Sequence, residues 1–167
     1  MAAQGDRFTW GRVSAIVRNP RRRGSAESPN AGSLVLDLVI SGAKPEDSIR
    51  ALLLADIDEE AGQAVRRDLR AHPEAPVAGS GGALLPFDVI KVAHHGSAHQ
   101  DGNLIVTLAA AIALISVGED NSYGHPAPRL LHAVGQAGSA IYRSDRDGSV
   151  AVRKEGDTLL VVREHRA

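Results

Sequence analysis

The apolar positions of this chain keep one rhythm over the first forty residues and another afterwards. "RVSAIV" at 12–17 and "SLVLDLVIS" at 33–41 have the two-residue period of strands. In the second, Leu34, Leu36, Leu38 and Ile40 fall on one face and Val35, Asp37 and Val39 on the other. Between them, "RNPRRRGSAESPNAG" reads as a loop from its Pro, Gly, Ser and Asn content. Its four arginines read as a solvated charge run, with phosphate contact as the alternative. From residue 50 the pattern is strand, then helix. "RALLLAD" is a short apolar run, and "IDEEAGQAVRRDLRAH" brings Ile57, Ala61, Ala64, Val65 and Leu69 to one side of a helix. Residues 72–86, with "PEAPVAGSGGALLP", predict a flexible insertion. "FDVIKVA" predicts a strand, "NLIVTLAAA" a short helix, "IALISVG" a strand, and "APRLLHAVGQAG" a helix with Pro128 near its first turn. Three short β runs follow in the tail, with a hairpin turn expected at "DRDGS" because Asp-Gly tolerates positive φ.

Alternating strands and helices with short connections imply right-handed crossovers, so the strands at 51–55, 87–92 and 112–117 are expected to run parallel. Their C-terminal ends then share one edge of the sheet, where ligands of such folds bind. The residues just beyond those ends are Asp56, the pair His94 and His95, and the loop "EDNSYGHP" with His125. Sequence pattern alone therefore predicts an α/β fold with ligand-type residues gathered at one edge.

At 167 residues the chain has the size of a single domain, 1–167, able to bury a core without staples. A net charge of -1 carries no overall basic excess, so charge does not announce a nucleic-acid partner. With no cysteine there is no disulfide framework and no thiolate ligand, which leaves His, Asp and Glu for any transition metal. Trp10, Phe8, Phe87, Tyr123 and Tyr142 are all the aromatics, too few to suggest a base-stacking platform. No stretch approaches the roughly 20 apolar residues of a membrane helix, and "MAAQGDRFTW" has no apolar core of export-signal length. The chain as written reads as soluble and cytoplasmic.

Singly, the candidate residues have ordinary readings. Asp56 or Asp58 caps the helix that follows, and a His pair opening a Gly-Ser loop is an ordinary hydrogen-bonded feature. His99, His132, His72 and His165 read as exposed or structural, and Asp145 and Asp147 as turn formers. Converging on one edge, Asp56 with His94, His95 and His125 is a set that suits metal-assisted hydrolysis. A carboxylate and neutral imidazoles can hold an ion that lowers the pKa of its bound water to about 7.

"SLVLDLVIS…ALLLADIDEEA", "DVIKVAHHGS", "LISVGEDNSYGHP" and "AIYRSDRDGSV", in this order and spacing, closely resemble the C-terminal metallo-β-lactamase-like domain of ComEC, the DNA-uptake channel protein of bacterial competence. The resemblance runs from "GDRFTWGRV" onward. It implies an αββα sandwich with a two-metal cleft, in a domain thought to degrade the non-transported DNA strand. Asp56 then matches the family's bridging aspartate, and His94 or His95 its late metal-ligand histidine. His125 matches a cleft histidine that contacts phosphate or protonates the leaving oxygen, and Ser97 and Asn121 stand as polar cleft groups. The family usually has glycine at the position of Ala55 and proline at that of Ala93. Its HxHxDH motif, or a variant such as HxDxDH, is absent here, so the chain looks like the C-terminal half of such a domain.

A two-metal site needs roughly six or seven protein ligands, more than this set offers. The resemblance thus implies a Zn or Mn centre left incomplete by this chain and an exposed apolar face. It also implies a second copy, or a partner carrying the first half, to complete both. DNA is the implied substrate, and the extracytoplasmic side of a membrane channel the implied location of an intact protein. The competing expectation is a catalytically inactive remnant that serves as an interaction or nucleic-acid-binding module, the latter through "RNPRRRG" and Arg143, Arg146 and Arg153.

Overall fold

The computed structural model of the chain describes residues 2–21, 28–73 and 86–164. Seven strands form one mixed sheet in the order of the sequence. They are β1 (Arg7–Trp10), β2 (Val13–Asn19), β3 (Val35–Ile40), β4 (Ile49–Leu53), β5 (Val89–Lys91), β6 (Ile112–Ile115) and β7 (Ala140–Arg143). β1 to β4 form an antiparallel meander. β4 to β7 run parallel, linked by helical crossovers as the alternation predicts. The crossover helices are α1 (Glu59–Ala71), α2 (Gly102–Leu108) and α3 (Pro128–Gln136). A mixed α/β fold is therefore what the pattern predicted. The expected insertion at 72–86 falls for the most part outside the described residues.

Three helices cover one face of the sheet and build the main core. Leu52, Ile90, Ala113 and Ile115 from the strands meet Ile57, Val65, Leu104, Ile105, Leu130 and Val134 from the helical side. Most are fully buried, and each such side chain contributes about 1.5–3 kcal/mol relative to exposure.

On the same face Asp37 interrupts the apolar pattern of β3, and it is completely buried. Its Oδ2 accepts from Arg18 Nη2 at 2.7 Å and Arg50 Nη2 at 2.7 Å, and its Oδ1 from Arg50 Nε at 3.0 Å. Arg18 also donates to Asp68 Oδ2 and the His72 carbonyl, tying the end of α1 to the sheet. Arg50 lies over the Phe87 ring, 4.1 Å from its centroid. Two guanidinium groups against two carboxylates balance the buried charge. Arg18 is thereby not part of a solvated run: β2 extends through it, and the waiting carboxylates draw it inside.

The opposite face carries a second sheet, the hairpin of β8 (Val150–Glu155) and β9 (Thr158–Arg163). Val152, Leu159 and Val161 pack over Ile49, Ala51, Val89 and Ile112. The hairpin turn lies at Glu155–Thr158 and not at "DRDGS". There β7 pairs with β6, and Ser144–Asp147 forms the single helical turn α4, held by Arg143 N–H donating to Asp147 Oδ2 and by the Arg143–Asp145 pair. These bonds keep both carboxyls below their usual range: the Arg143 side chain acts first on Asp145, and the Arg143 backbone N–H first on Asp147. Register places Phe8, Ala15, Leu38 and Ala51 on the hairpin side, together with Trp10, Val13, Ile40 and Ile49. Phe8 and Trp10 stack with centroids 5.6 Å apart, and they and Ile40 are exposed. The hairpin thus covers the β4–β7 part of this face and leaves an apolar strip at β1–β3.

Among the described residues, no helix is long and apolar enough to cross a membrane.

Candidate functional site

The parallel strands β4, β5 and β6 end at one edge, and each delivers part of the candidate set. Beyond β4, Asp58 takes the role of helix cap, its Oδ1 accepting from Ala61 N–H at 3.0 Å. That leaves Asp56 free of the cap, with its side chain about half exposed. Ala55, just before it, has φ 47°, left-handed backbone that costs a non-glycine residue about 1–2 kcal/mol. Two donors hold the Ala55 carbonyl there: His94 N–H at 2.9 Å and Lys91 Nζ at 3.3 Å.

Beyond β5, His94 and His95 both take left-handed conformations, φ 47° and 53°, and Gly96 follows at φ 89°. Three such residues in a row persist only where the surroundings over-determine them, and strain of this kind gathers at functional sites. Here Gln100 Nε2 donates to the Ala93 carbonyl at 3.1 Å and the Ser97 carbonyl at 2.6 Å, closing the loop across the histidines. Ala127 N–H donates to the Gly96 carbonyl at 2.8 Å.

The turn aims the two rings differently. His95 Nδ1 donates to the Ser116 carbonyl at 2.7 Å, which fixes the tautomer and leaves Nε2 with its lone pair. That Nε2 lies 3.8 Å from Asp56 Oδ1. His94 instead lies edge-on to His125, ring centroids 6.2 Å apart, and its Nδ1 is buried without a hydrogen-bond partner. Sequence leaves either histidine as the ligand, and it is His95 that stands beside Asp56.

His125 stacks on Tyr123 at 6.1 Å. Burial first, and then the neighbouring His94, His95 and His99, hold its pKa below the ordinary histidine value. The shift favours the neutral imidazole, which offers one N–H donor and one acceptor nitrogen. Because the folded pKa lies below the unfolded one, the stability linked to this ring is present above about pH 6.5 and is lost as pH falls through the folded value. We expect the melting temperature to drop between pH 7 and pH 5, and a His125→Gln variant to show a shallower drop. Parallel melting curves would contradict this.

Ser97 is buried, and its Oγ accepts from His99 N–H. Asn121 donates to the His125 carbonyl and accepts from Tyr123 N–H. Both shape the loops that carry the histidines.

Lys91 is the site residue that sequence reading passed over. By register it shares a row with Leu53 and Leu114, and its amine reaches out to the Ala55 carbonyl. Its Nζ sits 3.9 Å from Asp56 Oδ1. Burial holds its pKa below the ordinary lysine range, partly offset by the Asp56 charge. A charged residue inside an otherwise apolar parallel strand was the available signal.

The donor chemistry of Asp56 and His95 fits two ligands of one ion. Two ligands each ~2.0–2.1 Å from a tetrahedral zinc stand roughly 3.3–3.4 Å apart; Asp56 Oδ1 and His95 Nε2, at 3.8 Å, come within about half an ångström of that spacing. Among the described residues, however, no group of three or more such side chains is arranged to hold a metal.

No family model matches the chain, and no solved structure matches it. Over 127 residues, 75% of this chain, it is 29% identical to "ComE operon protein 3" of Bacillus subtilis (strain 168). The chain spans 14% of that protein's length. The stretch carrying the Asp56–His95 edge thus belongs to a chain similar to part of a much longer competence-operon protein.

Proposed function

We propose that this chain is the C-terminal half of a metallo-β-lactamase-like domain of the ComEC type, acting in DNA uptake as part of a metal-dependent phosphodiesterase. The observation that carries the reading is the Asp56–His95 pair, 3.8 Å apart with His95 Nε2 free, on the ligand edge of parallel strands. Zn or Mn bound there would supply an activated water at neutral pH. Within this chain, Asp56 and His95 contribute two ligands, Ser116 orients His95, and neutral His125 accepts from substrate or water at the rim. The remaining ligands come from the first half of the fold. The uncovered strip with Phe8, Trp10 and Ile40 fits that cover, since the hairpin β8–β9 has begun a second layer over the same face. DNA is the substrate that the resemblance to the ComEC type implies.

The experiment is cleavage of labelled DNA in Mn2+ or Zn2+ by this chain joined to the first half of the domain. We expect cleavage that falls at least ~100-fold on Asp56→Ala. No cleavage in either metal, or cleavage indifferent to Asp56, would remove the nuclease reading.

A second reading, an inactive module that keeps the fold as a scaffold, is favoured by the Lys91 ammonium already facing Asp56. It predicts an oligomer whose melting temperature is the same in EDTA.

A further inference from the structure

We infer that Lys91 is a positioning residue: it holds Ala55 in its left-handed turn and thereby sets the direction of the Asp56 carboxylate toward His95. The inference rests on the metal-site reading for its purpose, though its geometry stands apart from it.

Lys91 Nζ donates to the Ala55 carbonyl at 3.3 Å, and it reaches Asp56 Oδ1 only at 3.9 Å, beyond hydrogen-bond range. Its grip is therefore on the backbone before the aspartate, and its hold on the carboxylate is Coulombic. Ala55 needs that grip. An alanine left to itself avoids positive φ, and a charge-assisted hydrogen bond to its carbonyl is comparable in size to the strain it must offset. The other support, His94 N–H to the same carbonyl, ties the Asp56 turn to the His94–His95 turn. One carbonyl thus joins the two strained segments, with Lys91 beneath the joint. By register Lys91 is the one charged residue in a row with Leu53 and Leu114, and its amine leaves that row for the Ala55 carbonyl.

The test uses Lys91→Met, Lys91→Arg and the double variant Lys91→Met with Ala55→Gly, with Mn2+ as the probe. Three quantities are read: the melting temperature, the Ala55 φ from NMR couplings and carbon shifts, and the Mn2+ concentration that half-broadens the Asp56 and His95 amide signals. Positioning predicts that Lys91→Met keeps or raises the melting temperature, loses the left-handed signature at residue 55, and weakens Mn2+ binding at least fivefold. Glycine adopts positive φ freely, so the double variant recovers the Mn2+ response; Lys91→Arg retains most of it.

Simple electrostatics predicts the opposite sign, because deleting a positive charge beside a cation site tightens binding. Unchanged or tighter Mn2+ binding in Lys91→Met, or an Ala55 turn that survives the substitution, would overturn the inference. Should the wild-type chain give no Mn2+ response at Asp56 and His95, the metal reading falls, and the Ala55 signature alone still decides the role of Lys91.

Discussion

Replacing Asp37 by alanine is expected to destabilise the fold by about 3–5 kcal/mol, the range for removing one partner of a buried ion pair. Asp37 is fully buried, and its two oxygens take four hydrogen bonds from Arg18 and Arg50. Without it, two buried guanidinium groups lose the carboxylate they share, and no water reaches them at no cost. For a chain of this size the loss corresponds to roughly 6–20 °C in melting temperature. Urea unfolding checks it, with the exposed Arg153–Glu155 pair as control. Arg153→Ala should leave the midpoint close to wild type. An Asp37→Ala loss below about 1 kcal/mol would mean that the network is not the desolvated structure described above.

Gly96→Ala is expected to cost about 2–5 kcal/mol, combining left-handed strain with overpacking. Gly96 has φ 89°, and an added Cβ would lie 2.5 Å from Pro126 Cβ and 2.8 Å from Pro126 Cα. The Cα cannot move aside without shifting the loop that carries His125. The substitution should also release His95 from the Ser116 carbonyl, which nitrogen NMR of the ring reads as loss of a single tautomer. Gly118→Ala, where an added Cβ meets nothing within 4 Å, is the control and should be tolerated. A stable Gly96→Ala variant that kept the His95 tautomer would contradict the packing account of the turn.

The parallel part of the sheet was legible because helical periodicity and short apolar runs alternate from residue 50 onward, and crossover handedness then leaves little choice of edge. Asp56, His94, His95 and His125 follow from that topology. Their division of labour does not. Asp56 and Asp58 are both plausible caps by sequence, and only the path of the backbone into α1 assigns the cap to Asp58. Likewise the left-handed run at His94 and His95 has no sequence signature beyond the glycine that ends it, so which ring faces Asp56 could not be read. Arg18 looked like the start of a basic loop because its partners, Asp37 and Asp68, are 19 and 50 residues away. The hairpin turn was misplaced because "DRDGS" and "EGD" are comparable turn signals, and the choice belongs to strand pairing with β6.

In the proposed function Asp56 and His95 form one half of a metal site at the ligand edge. The most direct measurement is a Mn2+ titration of the isotope-labelled chain, followed by paramagnetic broadening of its amide signals. The account predicts broadening centred on Asp56 and His95 that Asp56→Ala abolishes and Asp58→Asn, which keeps the helix cap, leaves in place. Broadening spread evenly over the acidic surface, or unchanged by Asp56→Ala, would contradict it.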